Sequence, residues 1–276
     1  MRWLIALAVI AALCLGERFA ALRITEKRMI HTHRQGPRTP AARGLVFEEV
    51  PVDSEGRALK SFYVPADGPA LLILHGNNEA ISGWVDALAL LHEHGIAAMV
   101  FDYSGFGDSP GEPTFAHFHA DALAAWHAFR VRVPGGVRAC AYGLSLGSGV
   151  LLETAPELSP KPDCLAVSGA FLSARAIAAR RHLLPWWGTW LLPDLLDSLD
   201  NAGRTRIPLL VEQGSEDEMF PPDWARQLAA AHEGGQVVIV PGMHHADPVV
   251  HPGETSWRPV VDFVKPKAAP SAPIAK

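Results

Sequence analysis

The sequence predicts an α/β protein built on a mostly parallel, eight-stranded sheet with helices on both faces. Three observations carry that expectation. From about residue 70 onward, strand-like runs alternate with helix-like runs. The middle strand runs, ALLIL, AAMVFD and LLVEQ, are near-continuously apolar, as parallel strands covered on both faces must be. The residues able to do chemistry fall just past strand ends, where the crevice of such a sheet lies.

In chain order, strands are expected at Val46–Val50, Leu59–Val64, Ala70–Leu74, Ala97–Asp102, Val137–Tyr142, Cys164–Ser168, Pro208–Gln213 and Gln236–Val240. The first two have no helix between them, which predicts an antiparallel start. Helices are expected near Ser82–His94, Phe115–Val133, Ser145–Thr154, Ser173–Leu183, Pro222–Glu233 and Thr255–Val264.

A chain of 276 residues can bury a large core in one domain. A formal net charge of −5 and 49% hydrophobic residues describe an ordinary globular protein, with no basic surface for nucleic acid. Cys14, Cys140 and Cys164 are widely spaced and form no CxxC pair. Cys140 and Cys164 lie in strand-like runs and read as small buried hydrophobes, with neither a disulfide nor a metal site expected. The pairs His31/His33, His92/His94 and His117/His119 resemble metal ligands only superficially. The first lies in a tether, and i,i+2 neighbours on a helix do not share a face.

The two ends are set apart from this domain. Trp3 to Leu15 is uncharged and apolar behind Arg2, the length of a signal-peptide core. Phe19, Ala20, Ala21 and Leu22 lengthen it towards an interfacial or spanning anchor. Residues 1–30 are therefore expected to anchor the protein to a membrane, or to leave it secreted or periplasmic if they are cleaved. Residues 31–44, basic and rich in Pro and Gly, read as a tether. The domain proper is expected over 45–265, and the tail 266–276 as disordered. Residues 1–44 are expected to serve location alone.

Within the domain, Gly143-Leu144-Ser145-Leu146-Gly147 lies between a strand-like and a helix-like run. A serine in so sharp a turn is pushed out of the sheet beside a helix N-terminus, and side chains at Gly143 or Gly147 would collide with neighbouring backbone. Ser145 is the expected nucleophile; a helix-capping serine is the bland alternative. Other strand ends carry His75-Gly76-Asn77, Asp102, Asp217 and His244-His245.

These residues resemble the α/β-hydrolase superfamily, and within it the Bem46-like group of N-terminally anchored hydrolases related to ABHD13 and ABHD17. The resemblance runs from Val46 to Val264. It is carried by His75-Gly76-Asn77, by Asp102-Tyr-Ser-Gly-Phe-Gly-Asp-Ser-Pro-Gly111 and by Tyr142-Gly-Leu-Ser-Leu-Gly147. Gln213-Gly-Ser-Glu-Asp217 with Pro221, and Pro241-Gly-Met-His-His-Ala-Asp247, complete it. It implies an α/β-hydrolase fold with a small apolar cap at about 175–200, no cofactor, and the triad order Ser, acid, His.

The resemblance selects Asp217, rather than its neighbours Glu216 and Glu218, as the carboxylate that orients the base. It also selects His245 over His244, although His244 stands where the group usually has Gly. The oxyanion donors implied are the backbone N–H groups of Asn77 and Leu146. His75 reads as a residue bracing its turn, and Asp102–Gly111 as a loop bracing the crevice, because it lacks the lysine and spacing of a phosphate loop. Leu183 to Pro193 contains Trp186, Trp187 and Trp190, an apolar lid able to receive an acyl chain or to pack as an ordinary helix. The implied activity is a serine hydrolase acting on carboxylic esters or thioesters, with a small-molecule or lipid acyl substrate and a membrane as partners. The alternatives are a peptidase or amidase of the same fold and a catalytically silent binding protein.

Overall fold

The computed structural model describes residue 16 and residues 19–34, 36–182 and 195–265. The strands are β1 (Val52–Ser54), β2 (Arg57–Leu59), β3 (Ser61–Val64), β4 (Ala70–Leu74), β5 (Ala97–Phe101), β6 (Ala139–Leu144), β7 (Cys164–Ser168), β8 (Leu209–Gly214) and β9 (Gln236–Val240). The helices are α1 (residues 19–29), α2 (Val85–Glu93), α3 (Phe115–Arg132), α4 (Leu146–Thr154), α5 (Ala174–Arg180), α6 (Ser198–Arg204), α7 (Pro222–Ala231), α8 (Asp247–Val250) and α9 (Glu254–Val264).

The main sheet runs β3-β5-β4-β6-β7-β8-β9, and every neighbouring pair is parallel except β3 with β5. The α/β fold class and the antiparallel start are thus as expected. Seven strands are laddered where eight were expected, because Val46–Val50 reduces to one bridge between Glu48 and Tyr63. Val46 is 81% exposed, and Pro51 has no N–H with which to extend a ladder. The expected run Leu59–Val64 is split at Lys60, whose backbone bonds to Ser109 and Asp102 in the loop after β5. Leu59 belongs instead to the β1–β2 hairpin. Its two turn residues, Glu55 and Gly56, both have positive φ, the backbone that a two-residue hairpin needs.

Alternation along β4 sends Leu72 and Leu74 to one face and Leu71 and Ile73 to the other. The first face packs against Phe118 and Trp126 of α3, Leu151 of α4 and Leu228 of α7. The second packs against Trp84, Leu88 of α2 and Val261 of α9, with Trp257 lying 4.8 Å from Tyr142 between ring centroids. Each fully buried aromatic of this kind is worth about 4–6 kcal/mol in area terms. The two covered faces hold the strand ends rigidly in one row.

Two expectations are corrected. Cys140 and Cys164 are joined in a disulfide. They are direct partners on the parallel neighbours β6 and β7, with Cα atoms 4.7 Å apart, so both side chains leave the same face side by side. Residues 31–34 and 36–43, expected to hang free of the domain, lie along it. Arg38 makes a paired hydrogen bond to Asp86, Arg43 joins the same carboxylate, and Gly36 N–H donates to Ser82 Oγ. These are charge and backbone contacts, which a reading of apolar periodicity does not register. Among the described residues no helix is long and apolar enough to cross a membrane; residues 1–15 lie outside them.

Candidate active site

Four strand ends converge on one point. The turn from β6 into α4 places Ser145 at φ 51° and ψ −115°, a backbone that few non-glycine residues adopt. It is held there by Ser145 N–H donating to the Ser168 carbonyl at 3.0 Å, and by Ser148 N–H and Oγ–H donating back to the Ser145 carbonyl at 2.9 and 2.6 Å. The flanking glycines are required by close approach. A Cβ at Gly143 would strike the Gly147 carbonyl, and one at Gly147 would strike the Leu74 carbonyl of β4.

The loop after β9 brings His245 Nε2 to 2.9 Å from Ser145 Oγ. On the other side of the ring, His245 Nδ1 lies 2.7 Å from Asp217 Oδ2. Asp217, in the loop after β8, is fully buried as a side chain and takes three further donors. Met219 and Phe220 N–H reach its Oδ1 at 2.8 Å each, and Gln213 Nε2–H reaches Oδ2 at 2.6 Å. Phe220 packs edge-on to the imidazole at 5.2 Å. His244, by contrast, points outward with its side chain 59% exposed, 3.6 Å from Glu218. The structure therefore brings Ser145, His245 and Asp217 together and leaves His244 and Glu218 outside.

Asn77 and Leu146 border the same cleft as Ser145. Leu146 is the first residue of α4, and the Ser145 side chain does not cap that helix, so the first-turn N–H groups face the cleft's end of the dipole. Below them His75 and Asp102 form a fully buried pair, Nε2 to Oδ1 3.3 Å, while His75 Nδ1–H donates to the Gly76 carbonyl at 2.8 Å. Burial works against a charged His75 ring, but Asp102, Glu79 and the Gly76 carbonyl together outweigh it and the pKa is raised. Asp102 Oδ1 also accepts Ile81 N–H, so this pair braces the turn, as its sequence position suggested.

Glu79 was not singled out by sequence. Its Oε2 accepts Gly76 N–H and Trp84 Nε1–H at 2.9 Å each, tying the turn to the core, and burial raises its pKa. Gln213, Met29 and Ile30 were also missed. Gln213 lies inside a motif that the sequence did show; the other two lie in a segment assigned to location. Trp186, Trp187 and Trp190 fall outside the described residues. Among those described, the cleft beside Ser145 has about 50 Å³ of free space between Met29, Ile30, Phe115, Phe171, Ile177, Leu196, Met219 and Phe220, with Arg181 its one charged lining residue.

Residues 67–198 match the family model described as serine aminopeptidase, S33. An uncharacterized protein of Mycobacterium tuberculosis H37Rv is 31% identical over 237 residues, covering 81% of each chain. Protein ABHD12B of Homo sapiens is 26% identical over 202 residues, covering 64% of this chain and 56% of that one. Among solved structures, an esterase of Pyrococcus furiosus superposes with a TM-score of 0.69 at 18% identity, over 85% of this chain and 97% of its own. That likeness speaks to the fold, and with the family match and the relatives it shows that the chain belongs to the α/β-hydrolase superfamily, as a hydrolase related to the ABHD proteins.

Proposed function

We propose that this hydrolase is a serine esterase or thioesterase working through an acyl-enzyme. The observation that carries the reading is the continuous line Ser145 Oγ, His245, Asp217, with contacts of 2.9 and 2.7 Å. His245 Nε2 takes the Ser145 proton as Oγ attacks the acyl carbonyl carbon. The carbonyl oxygen becomes an oxyanion, and the backbone N–H groups of Asn77 and Leu146 receive it. As the tetrahedral intermediate collapses, His245 gives its proton to the leaving alkoxide or thiolate. Water then attacks the acyl-Ser145 ester with His245 again as base, which releases the acid. Asp217, held by its four donors, keeps Nδ1 protonated and balances the imidazolium in both halves.

The aminopeptidase description of the matched family supports a second reading, cleavage of an amide. A free peptide N-terminus calls for a carboxylate to pair with its ammonium. The described cleft lining contains none, and Arg181 there repels a cation, so an uncharged or anionic acyl substrate fits better. A silent binding protein would have no need of the strained serine backbone. The apolar run Trp3–Leu15 supports a location at a membrane, and the Cys140–Cys164 disulfide supports an oxidising compartment.

The test is Ser145→Ala against wild type, with fluorophosphonate labelling and turnover of p-nitrophenyl esters, thioesters and aminoacyl amides. Wild type is expected to label and to prefer the esters or thioesters. The variant is expected to lose labelling and about 10⁴-fold or more in kcat while keeping its circular dichroism spectrum. A variant that still labels contradicts the nucleophile, and preference for the aminoacyl amide selects the second reading.

A further inference from the structure

The last turn of α1 is part of the wall of the cleft. Met29 and Ile30 line it together with Ser145 and Leu146, and both pack against the core cluster that contains Phe115 and Leu146. Their position is fixed by the turn after β4. Asn77 Nδ2–H donates to the Met29 carbonyl at 2.7 Å, and Asn77 Oδ1 accepts His31 N–H at 2.8 Å. Asn78 N–H then donates to the His31 carbonyl at 2.7 Å. One side-chain amide thus clasps residues 29–31 against the loop whose own N–H is assigned to the oxyanion.

Further contacts hold the segment on either side of this clasp. Gly107 N–H donates to the His33 carbonyl at 2.8 Å. Glu26 is only 5% exposed; it accepts Phe115 N–H at 3.1 Å and pairs with Arg23 at 3.0 Å. A carboxylate is rarely buried unless it is paired, and here it is paired to the first residue of α3. The segment is seated by charge, by backbone and by apolar contact at once.

We propose that Met29 and Ile30 are specificity residues of the acyl cleft, held by Asn77, and that they select straight-chain apolar acyl groups by size. The proposal rests on the acyl-transfer reading above. Apolar walls discriminate by the methylenes they can enclose, each worth about fourfold in kcat/KM. Adding bulk at residue 30 therefore shortens the acyl chain that fits.

The experiment uses the full chain and p-nitrophenyl acetate and octanoate, read as the ratio of their kcat/KM values. Ile30→Trp is expected to lower the octanoate-to-acetate ratio at least tenfold, and the milder Ile30→Phe to lower it by a lesser factor in the same direction. Ile24 lies on α1, in the same segment as Ile30, but is 47% exposed, so Ile24→Trp is expected to leave the ratio at the wild-type value. A wild-type ratio in both Ile30 variants overturns the proposal, as does an equal shift in Ile24→Trp. Wild-type protein that turns over neither ester and takes no fluorophosphonate overturns the acyl-transfer reading instead.

Discussion

His244 and His245 are chemically identical neighbours, and direction alone separates them. His244 N–H donates to Asp247 Oδ2 at 2.7 Å, which fixes the turn so that the next side chain faces inward. Asp247 is accordingly held below the usual carboxylate range, burial being outweighed by its bonds to His244 and His251. His245→Ala is expected to lower kcat by about 10⁴-fold or more, while His244→Ala keeps kcat within about tenfold of wild type; steady-state kinetics on one short ester decides it. At this scale the turn at Ser145 was legible because so tight a bend demands glycines at two fixed positions. Asp217 and His245 needed the resemblance to separate them from neighbours of the same chemistry. Gln213 and Asn77 act through side-chain amides whose partners are 4 and 46–48 residues away, and no local pattern records such a bond.

Among the elements, the buried parallel strands were the most legible, because a strand covered on both faces must be apolar throughout. Elements held by one neighbour or by polar contacts were the least. The edge segment around Glu48 keeps a single bridge. The Cys140–Cys164 bond depends on the register of two strands, which neither strand's sequence states. The segment before the domain was misread for the same reason: Arg38, Gly36 and His31 hold it by polar bonds, not by an apolar stripe. Its deletion therefore carries a different expectation from the sequence reading. Removing residues 1–44 is expected to lower kcat/KM on p-nitrophenyl acetate by about tenfold or more, because the Asn77 loop loses its clasp and the cleft a wall. Kinetics on deleted protein that circular dichroism shows to be folded make the check; undiminished activity would return the segment to a purely locating role.

For the whole molecule, the sheet that aligns the site also encloses a charge problem. Glu212 of β8 is fully buried, and neither carboxyl oxygen has a protein hydrogen-bond partner. Burial lifts its pKa from 4.5 to about 8. The folded state thus binds a proton that the unfolded chain releases near 4.5. The stabilisation is complete below 4.5, declines as pH rises and is gone above about 8. Glu212→Gln keeps the shape without the titration. It is expected to match wild type near pH 4.5 and to exceed it by about 4 kcal/mol at pH 8, as denaturant midpoints across that range would show.

The clasped segment also sets a reach. A slack leash would let the domain turn any face towards whatever holds the start of the chain. Here only α1 separates residue 19 from the clasp at Met29, a stiff rod about 16 Å long. A support that held the chain at residue 19 would therefore also aim the mouth of the cleft, and at short range. A substrate held on such a support would meet a cleft already facing it, and its encounter would become a search across a surface rather than through a volume.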